Sequence, residues 1–209
     1  MLTLITLLKT KGRFVNIISK LLVLFMFLLM SGCSVDDDDG TGSDLPAITS
    51  EGLYTFGCKI NGQVFLPRNG QWCLACGPRE PLRLSYFQDR EGQYRLGINA
   101  SNNINGDVHI SLDLYLYEPL EERVYELSEV YISSVDKMRP NAVGCIYRDI
   151  SGEKINSCFG TTSEVTGTLE IIEMNEEERF IAGVFEFQGI DQQGNIMNFS
   201  DGRFDIRIY

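Results

Sequence analysis

The sequence is poor in several residue types, and each scarcity limits the functions open to it. Histidine occurs once, as His109, so any histidine-dependent triad would have to use that residue. Lysine and arginine number 18 against 29 aspartates and glutamates, which gives a net charge of −11. No apolar run reaches the roughly 20 residues of a membrane-spanning helix, and no glycine-rich phosphate loop follows a strand pattern. No amphipathic helical pattern of ten or more residues is present.

The N-terminus is basic and then apolar. Lysines and arginines without any acidic residue precede LLVLFMFLLM, residues 21–30, and Ser31 and Gly32 lead to Cys33. This order is typical of a secretory signal, and L-M-S-G-C resembles a bacterial lipobox with Met30 where leucine is more usual. We therefore expect a lipoprotein signal peptide over residues 1–32 and lipidation of Cys33. The alternatives are an ordinary signal peptide with an incidental cysteine, or a single anchor helix, which the short apolar run disfavours.

Residues 33–52 are acidic and rich in glycine, serine and threonine. Such a composition buries no core, so we expect a disordered acidic linker after the lipidated cysteine. As a random coil it would hold its ends about 20–25 Å apart. Asp36–Asp39 lacks the alternate ligand spacing and turn glycine of a calcium loop, which favours a solvated acidic run over a metal site.

Charge separates the signal from the rest of the chain. The signal holds four of the 18 basic residues and none of the 29 acidic ones, so the remainder carries 14 basic and 29 acidic residues, a net charge of −15. Such a body repels phosphate backbones, so we expect no nucleic-acid partner. It also repels anionic lipid, so the lipid on Cys33 is expected to hold the protein to the membrane.

Residues 53–209 read as one all-β domain. Apolar and polar residues alternate in several segments, for example in residues 108–116, where valine, isoleucine and leucine share one face and His109, Ser111 and Asp113 share the other with Tyr115. Tight-turn pairs separate the segments, at Asn61-Gly62, Glu91-Gly92, Asn105-Gly106, Ser151-Gly152, Gln193-Gly194 and Asp201-Gly202. We expect a single antiparallel β-sandwich or β-barrel.

Three stretches carry further expectations about this domain. Residues 118–142 show no clear period and leave room for a short helical turn. The segment GRFDIRIY, residues 202–209, alternates to the end of the sequence, and we expect it inside a sheet. Glu176 to Glu178 lie between two strand patterns, which favours a solvated hairpin tip over a glycosidase pair.

The C-terminal third resembles an uncharacterised family of Bacteroidetes lipoproteins. The shared motifs are T-G-T-L-x-I at 166–171, G-x-F-x-F at 183–187 and a terminal S/T-D-G-R-F-D at 200–205, while YTFGCKINGQVF at 54–65 fits the family's opening pattern. The resemblance implies an all-β fold and, with acidic residues after Cys33, an outer-membrane lipoprotein exposed at the cell surface. It implies no catalytic residue.

Physically, the shared motifs indicate structure. Gly183 within a strand predicts a bulge or a close backbone approach. Phe185 and Phe187 share a face and are core candidates. Asp201-Gly202 predicts a hairpin turn. Arg203 and Asp205 are expected to share the solvent-facing side of the last strand, where they could form an ion pair.

Export to an oxidising compartment permits disulfides, and one disulfide can be predicted from the register of a strand pair. If Ser151-Gly152 is a two-residue turn, opposed residue numbers sum to 303, as 145 and 158 do. Cys145 and Cys158 would then form a non-hydrogen-bonded pair, in which Cα atoms lie about 4.5 Å apart, within disulfide range. We therefore expect a Cys145–Cys158 bridge.

The remaining cysteines lie at Cys58 and in WCLACG, residues 72–77. Pro78 and Pro81 follow and interrupt the helix that a redox-active dithiol needs, and zinc would require four converging thiolates. We expect a staple that joins Cys73 to Cys76, or one of them to Cys58. Trp72 is either a ligand platform or a packing residue.

No cofactor, metal site or catalytic group emerges from these patterns. We expect a non-enzymatic, lipid-anchored binding or assembly module whose partner is a glycan or an envelope protein. The alternatives are a small β-barrel carrier of an apolar ligand and a thiol oxidoreductase that uses Cys73 and Cys76.

Overall fold

The structure is a computed structural model that describes residues 44–69, 80–102, 108–132, 137–146, 149–150, 153–154 and 156–208. All of these residues belong to the unit formed by residues 43–209. Within those ranges every regular element is a β-strand, so the all-β prediction is confirmed.

The described residues form fifteen strands, and most of them are long enough to show the alternation predicted from the sequence. The first eight are β1 Thr55–Ile60, β2 Gln63–Phe65, β3 Leu82–Gln88, β4 Tyr94–Asn102, β5 Val108–Leu116, β6 Val124–Leu127, β7 Glu129–Ile132 and β8 Lys137–Pro140. The others are β9 Ala142–Ile146, β10 Asp149–Ile150, β11 Glu153–Lys154, β12 Ser157–Gly160, β13 Gly167–Asn175, β14 Phe180–Ile190 and β15 Ile196–Arg207.

Eleven strands form one antiparallel sheet in the order β2-β1-β15-β14-β12-β9-β5-β4-β3, with β13 added on β14 and β6 on β13. The sheet branches along one edge of β14. Most of β14 pairs with β13, whereas Ile190 at its end pairs with Gly160 of β12. We call β2, β1, β15, β14, β13 and β6 the first wing, and β12, β9, β5, β4 and β3 the second wing.

The two wings share one core because the sheet curls. The ring of Phe199, on the first wing, lies so close to Gly144, on the second, that a Cβ atom there would overlap it. A row of phenylalanine rings lines the first wing, with centroid distances of 5.3 Å from Phe56 to Phe185, 6.4 Å from Phe185 to Phe187 and 4.2 Å from Phe187 to Phe199. The second wing contributes aliphatic side chains: Leu82, Leu84, Leu96, Ile98, Val108, Ile110, Leu112, Leu114 and Ile146.

Three predicted turns are confirmed. Asn61 and Gly62 join β1 to β2 with φ angles of 47° and 84°, the positive pair that a type I′ hairpin requires. Gly92 and Gly194 have φ angles of 86° and 87° in the turns before β4 and β15. The glutamates at 176–178 lie in the turn between β13 and β14 and are exposed.

The prediction of a turn at Asp201-Gly202 is wrong, because both residues lie inside β15. The register with β14 shifts between Phe185 and Phe187 at this point, and Asp201 has a φ of 52°. An Asp-Gly pair supplies the positive φ that a bulge needs as readily as the one that a turn needs. The end of the chain nevertheless lies inside the sheet as expected, since β15 pairs with both β1 and β14.

The expected surface pair of Arg203 and Asp205 is also wrong. Asp205 is completely buried and accepts hydrogen bonds from Thr49 Oγ1 at 2.8 Å, from the backbone N–H of Glu51 at 2.9 Å and from that of Gly52 at 2.7 Å. Arg203 instead donates to the backbone carbonyls of Asp201 and Pro46.

These contacts also correct part of the predicted linker. Residues 45–52 lie against β1 and β15 and are held there by Asp205 and Arg203, and Gly52 is buried. A buried carboxylate needs hydrogen-bond donors, and the backbone N–H groups of residues 51 and 52 supply them.

The residues of the G-x-F-x-F motif have the structural roles that were predicted for them. Gly183 lies against Phe204 and against the carbonyl of Glu170, where any side chain would clash. Phe185 and Phe187 are both buried. The close-approach prediction for Gly183 and the core prediction for the two phenylalanines are therefore confirmed.

Candidate functional site

The outer face of the second wing carries an unusual density of polar side chains. Alternation sends every second residue of β4 and β5 outward, and the antiparallel register places them side by side. The facing pairs are Arg95 with Tyr115, Gly97 with Asp113, Asn99 with Ser111 and Ser101 with His109. On β3, the same face includes Arg83, Ser85 and Phe87.

A cleft of about 410 Å³ opens on this face. Its lining residues, which define what we call the outer cleft, are Ser111, Asp113, Tyr115, Lys137, Met138, Arg139, Pro140 and Val143. The floor comes from β5 and β9, and the wall comes from β8, which pairs with β7 in a separate two-stranded sheet. The helical turn that residues 118–142 left room for is not found in the described part of that stretch, where β6, β7 and β8 lie instead.

Asp113 is the carboxylate of the outer cleft. It is half-buried and accepts a hydrogen bond of 2.6 Å from Ser111 Oγ to its Oδ2. Burial raises the pKa of Asp113, while the Ser111 hydrogen bond and the charges of His109 and Arg139 act in the opposite direction. Gly97 leaves room for this side chain, since a Cβ there would lie 3.3 Å from Asp113 Oδ1.

His109 lies two pairs further along β5, beside the disulfide. Its Nδ1 is 2.9 Å from Ser101 Oγ, and its strand partner is Cys145. Burial lowers the pKa of His109, and the charge of Asp113 opposes that shift. Because Ser111 donates to Asp113 and His109 contacts Ser101, these hydrogen bonds do not follow the serine–histidine–carboxylate order of a hydrolytic triad.

A cation and a second aromatic ring share the outer face with the lining residue Tyr115. The guanidinium of Arg95 lies 5.0 Å from the ring centroid of Tyr115 and forms a 3.0 Å salt bridge with Asp89. Phe87, the partner of Arg95 on β3, is 50% exposed. Phe87, Arg95 and Tyr115 thus form a row of one cationic and two aromatic side chains across β3, β4 and β5.

The Cys145–Cys158 bridge is confirmed. Cys158 faces Cys145 between β12 and β9, their Cα atoms are 4.0 Å apart, and the sulfurs are bonded. Ile150 faces Glu153 in the β10–β11 pair, as the predicted register requires. The bridge joins two strands of the second wing on its outer face, next to His109.

Cys58 is a free thiol in the core of the first wing, and burial strongly raises its pKa. This excludes the alternative in which Cys58 pairs with Cys73 or Cys76. Cys73, Cys76, Trp72 and the lipidation residue Cys33 lie outside the described residues, so their predicted roles stay predictions.

Sequence reasoning placed the β5 residues of the cleft floor on one face, but it did not predict a site there and it missed the wall. His109, Ser111, Asp113 and Tyr115 were placed on one face by alternation alone. Lys137 and Arg139 were missed because β8 is only four residues long and lies in a stretch without a clear period. The alternation of cations in K-M-R-P was the available signal.

Two general features of the described residues bear on the chemistry. No helix among them is long and apolar enough to cross a membrane. No group of three or more histidine, cysteine, aspartate or glutamate side chains among them is placed to hold a metal ion.

Comparison with known proteins assigns no family to this chain. No protein-family model, curated protein or solved structure matches this chain. The resemblance to Bacteroidetes lipoproteins therefore stays a prediction, and function has to be argued from the outer cleft itself.

Proposed function

We propose that this protein is an exported, lipid-anchored binding module that holds a saccharide in the outer cleft without transforming it. The observation that carries the proposal is the half-open cleft on the second wing, where a half-buried carboxylate, a hydroxyl, two cations and an aromatic ring converge. Binding pockets of several hundred Å³ with a few convergent polar groups are the usual form of small-molecule sites.

The polar groups suit a ligand rich in hydroxyls. Ionised Asp113 has about four lone-pair positions, and Ser111 uses one of them. Sugar hydroxyls are donors that can fill others, while Tyr115 offers an aromatic face whose negative charge distribution attracts C–H edges. Arg95 and the exposed ring of Phe87 follow Tyr115 across the outer face, where a longer saccharide chain would meet them.

The same geometry favours binding over hydrolysis. Glycoside hydrolysis ordinarily uses two carboxyl groups about 5–9.5 Å apart across the scissile bond. Among the residues that line the outer cleft, Asp113 is the single carboxylate.

An apolar-ligand carrier would need space between the wings. The ring of Phe199 fills the described interior at Gly144, and Phe187 stacks on it at 4.2 Å. This packing supports a site on the outer face rather than in the core.

The segment after Cys33 would connect the domain to the membrane. Lipidation of Cys33 would anchor the chain, and the hydrogen bonds of Asp205 to residues 49–52 would fix the distal end of the tether to the sheet. We expect Cys33→Ala to lose both fatty-acid labelling and membrane association in cell fractionation. Recovery of the unlabelled variant in the membrane fraction would contradict the anchor.

Saccharide binding is tested on a glycan array with the full-length protein solubilised in detergent. We expect Asp113→Ala to weaken binding by about tenfold or more, because a hydrogen bond to a charged group contributes about 1.5–3 kcal/mol. Glu170→Ala, which removes an exposed carboxylate from the first wing, is the matched control and should bind normally. Absence of any saccharide binding, or equal effects of the two variants, would refute the proposal.

A further inference from the structure

The charges around the outer cleft are opposite to those of the protein as a whole. Residues 33–209 carry 14 basic and 29 acidic side chains, yet the cleft is lined by Lys137 and Arg139 and by one carboxylate, Asp113. Arg83 is exposed on the same face of β3. Neither Lys137 nor Arg139 forms a salt bridge with a carboxylate among the described residues.

The local cations outweigh the distant acidic residues at physiological salt. The Debye length there is about 8 Å, so exposed charges farther away than that are largely screened. The charged side chains that line the cleft itself are Lys137, Arg139 and Asp113, and Arg95 lies against the lining residue Tyr115. The planar guanidinium of Arg139 is suited to hold a carboxylate or sulfate with two parallel hydrogen bonds.

We infer that the ligand of the outer cleft is an anionic saccharide whose carboxylate or sulfate lies against Lys137 and Arg139 while its hydroxyls meet Asp113 and Ser111. This inference rests on the proposed function and specifies the ligand class. The different exposure of these cleft side chains determines how the saccharide is oriented. Lys137 and Arg139 are exposed at the rim, whereas Asp113 is half-buried at the floor and would repel an anion placed there.

The test uses the full-length, detergent-solubilised protein and three hexasaccharides of equal length. These are a carboxylated oligogalacturonide, a sulfated heparin fragment and neutral xylohexaose, each titrated calorimetrically at 50 and 300 mM NaCl. We expect an acidic probe to bind at least about tenfold more tightly than the neutral one at low salt, and the difference to shrink at high salt.

The decisive variant is Lys137→Gln/Arg139→Gln, which should reduce affinity for the acidic probe by about tenfold or more. The matched control, Arg123→Gln/Arg179→Gln, removes the same net charge from exposed positions of the first wing and should change affinity less than about twofold. Thermal melts check that both double variants fold.

The possible results separate the two proposals. Equal affinity for neutral and acidic hexasaccharides, with both lost in Asp113→Ala, would overturn the anionic ligand and leave saccharide binding intact. Equal losses in the two double variants would also overturn it, because net charge rather than the cleft would then be responsible. Binding to none of the three hexasaccharides would overturn the anionic ligand, and absence of binding on the glycan array as well would overturn both proposals.

Discussion

The outer faces of the two wings follow the same alternation but present different chemistry. On the first wing, the paired strands β6, β13 and β14 direct Glu126, Glu170 and Glu186 into solvent, and all three are exposed. On the second wing, the corresponding positions include His109 and Asp113, which are half-buried and have shifted pKa values because of that burial.

The β7–β8 pair accounts for this difference at Asp113. It lies beside β5 and β9, so that Lys137 to Pro140 form one wall of the outer cleft, and no such wall lines the glutamates of the first wing among the described residues. Alternation decides which residues point outward, but it does not decide which outward face becomes a site. A second layer that partly buries the polar groups makes that difference.

A pair of hairpins shows the same contrast at a smaller scale. Asp89 and Asp191 each begin an Asp-x-x-Gly turn in which Oδ1 accepts two backbone N–H groups. These turns differ in what the second oxygen binds. Asp89 Oδ2 holds Arg95 against Tyr115, whereas Asp191 Oδ2 binds Asn195 and Ser157. One turn therefore positions a cation beside the cleft, whereas the other closes its own loop and joins it to β12.

Removal of the second wing's disulfide should have the largest effect. Cys145→Ala/Cys158→Ala opens a bridge with a sequence separation of 13, for which loop closure suggests a loss of about 3 kcal/mol in unfolding free energy. Chemical denaturation measures this loss. Cys58→Ala, a buried thiol without a bond in the first wing, should cost only about 1 kcal/mol. Comparable losses in both variants would mean that the bridge does not stabilise the second wing.

The two arginine–tyrosine pairs give a closer comparison. Arg95 lies over Tyr115 in the second wing, and Arg123 lies 4.7 Å from the ring centroid of Tyr125 in the first. The Arg95 side chain is 30% exposed and Arg123 is 53% exposed.

Arg95→Gln should therefore lower the unfolding free energy by about 0.5–1 kcal/mol through the lost cation–π contact. Arg123→Gln should have no measurable effect, because solvent screens exposed charges. Thermal melts in parallel measure both. An effect of Arg123→Gln as large as that of Arg95→Gln would show that partial burial is not what distinguishes the two faces.

The smallest expected effect is a pH dependence at Asp113. Burial raises the pKa of Asp113 in the folded state, so ionisation costs folding stability as pH rises from the ordinary aspartate value near 3.8. Asp113→Asn should therefore match the wild type in acid and be slightly more stable near pH 7, as measured by denaturation at both pH values. A gain for Asp113→Asn that is larger in acid than at neutral pH would contradict this sign.

Local signals predicted a large part of this fold. The alternation in residues 108–116 assigned both faces of β5, and the Asn61-Gly62 pair predicted the hairpin turn between β1 and β2. The register counted from Ser151-Gly152 found the Cys145–Cys158 bridge. These predictions succeeded because strand period and turn geometry depend on neighbouring residues alone.

The errors came from contacts made over long sequence separations. Asp205 looked exposed by alternation, but residues 49–52, which are more than 150 positions away along the chain, cover it. Asp201-Gly202 carried a turn signal, yet pairing with strands on both sides kept β15 continuous through a bulge. In neither case does the local pattern contain the residues that decide the outcome.

The sequence by itself determined that the described domain is all-β, which side chains of its longer strands point inward, and that Cys145 bonds to Cys158. Each follows from a period or a register within a short segment. Only the tertiary structure decided that Lys137 and Arg139 line the same cleft as Asp113 and Tyr115, and that β14 divides the sheet into two wings. Those arrangements depend on the curl of the sheet and on the packing of β8 beside β5, where the free energy comes from contacts between segments that are distant in sequence.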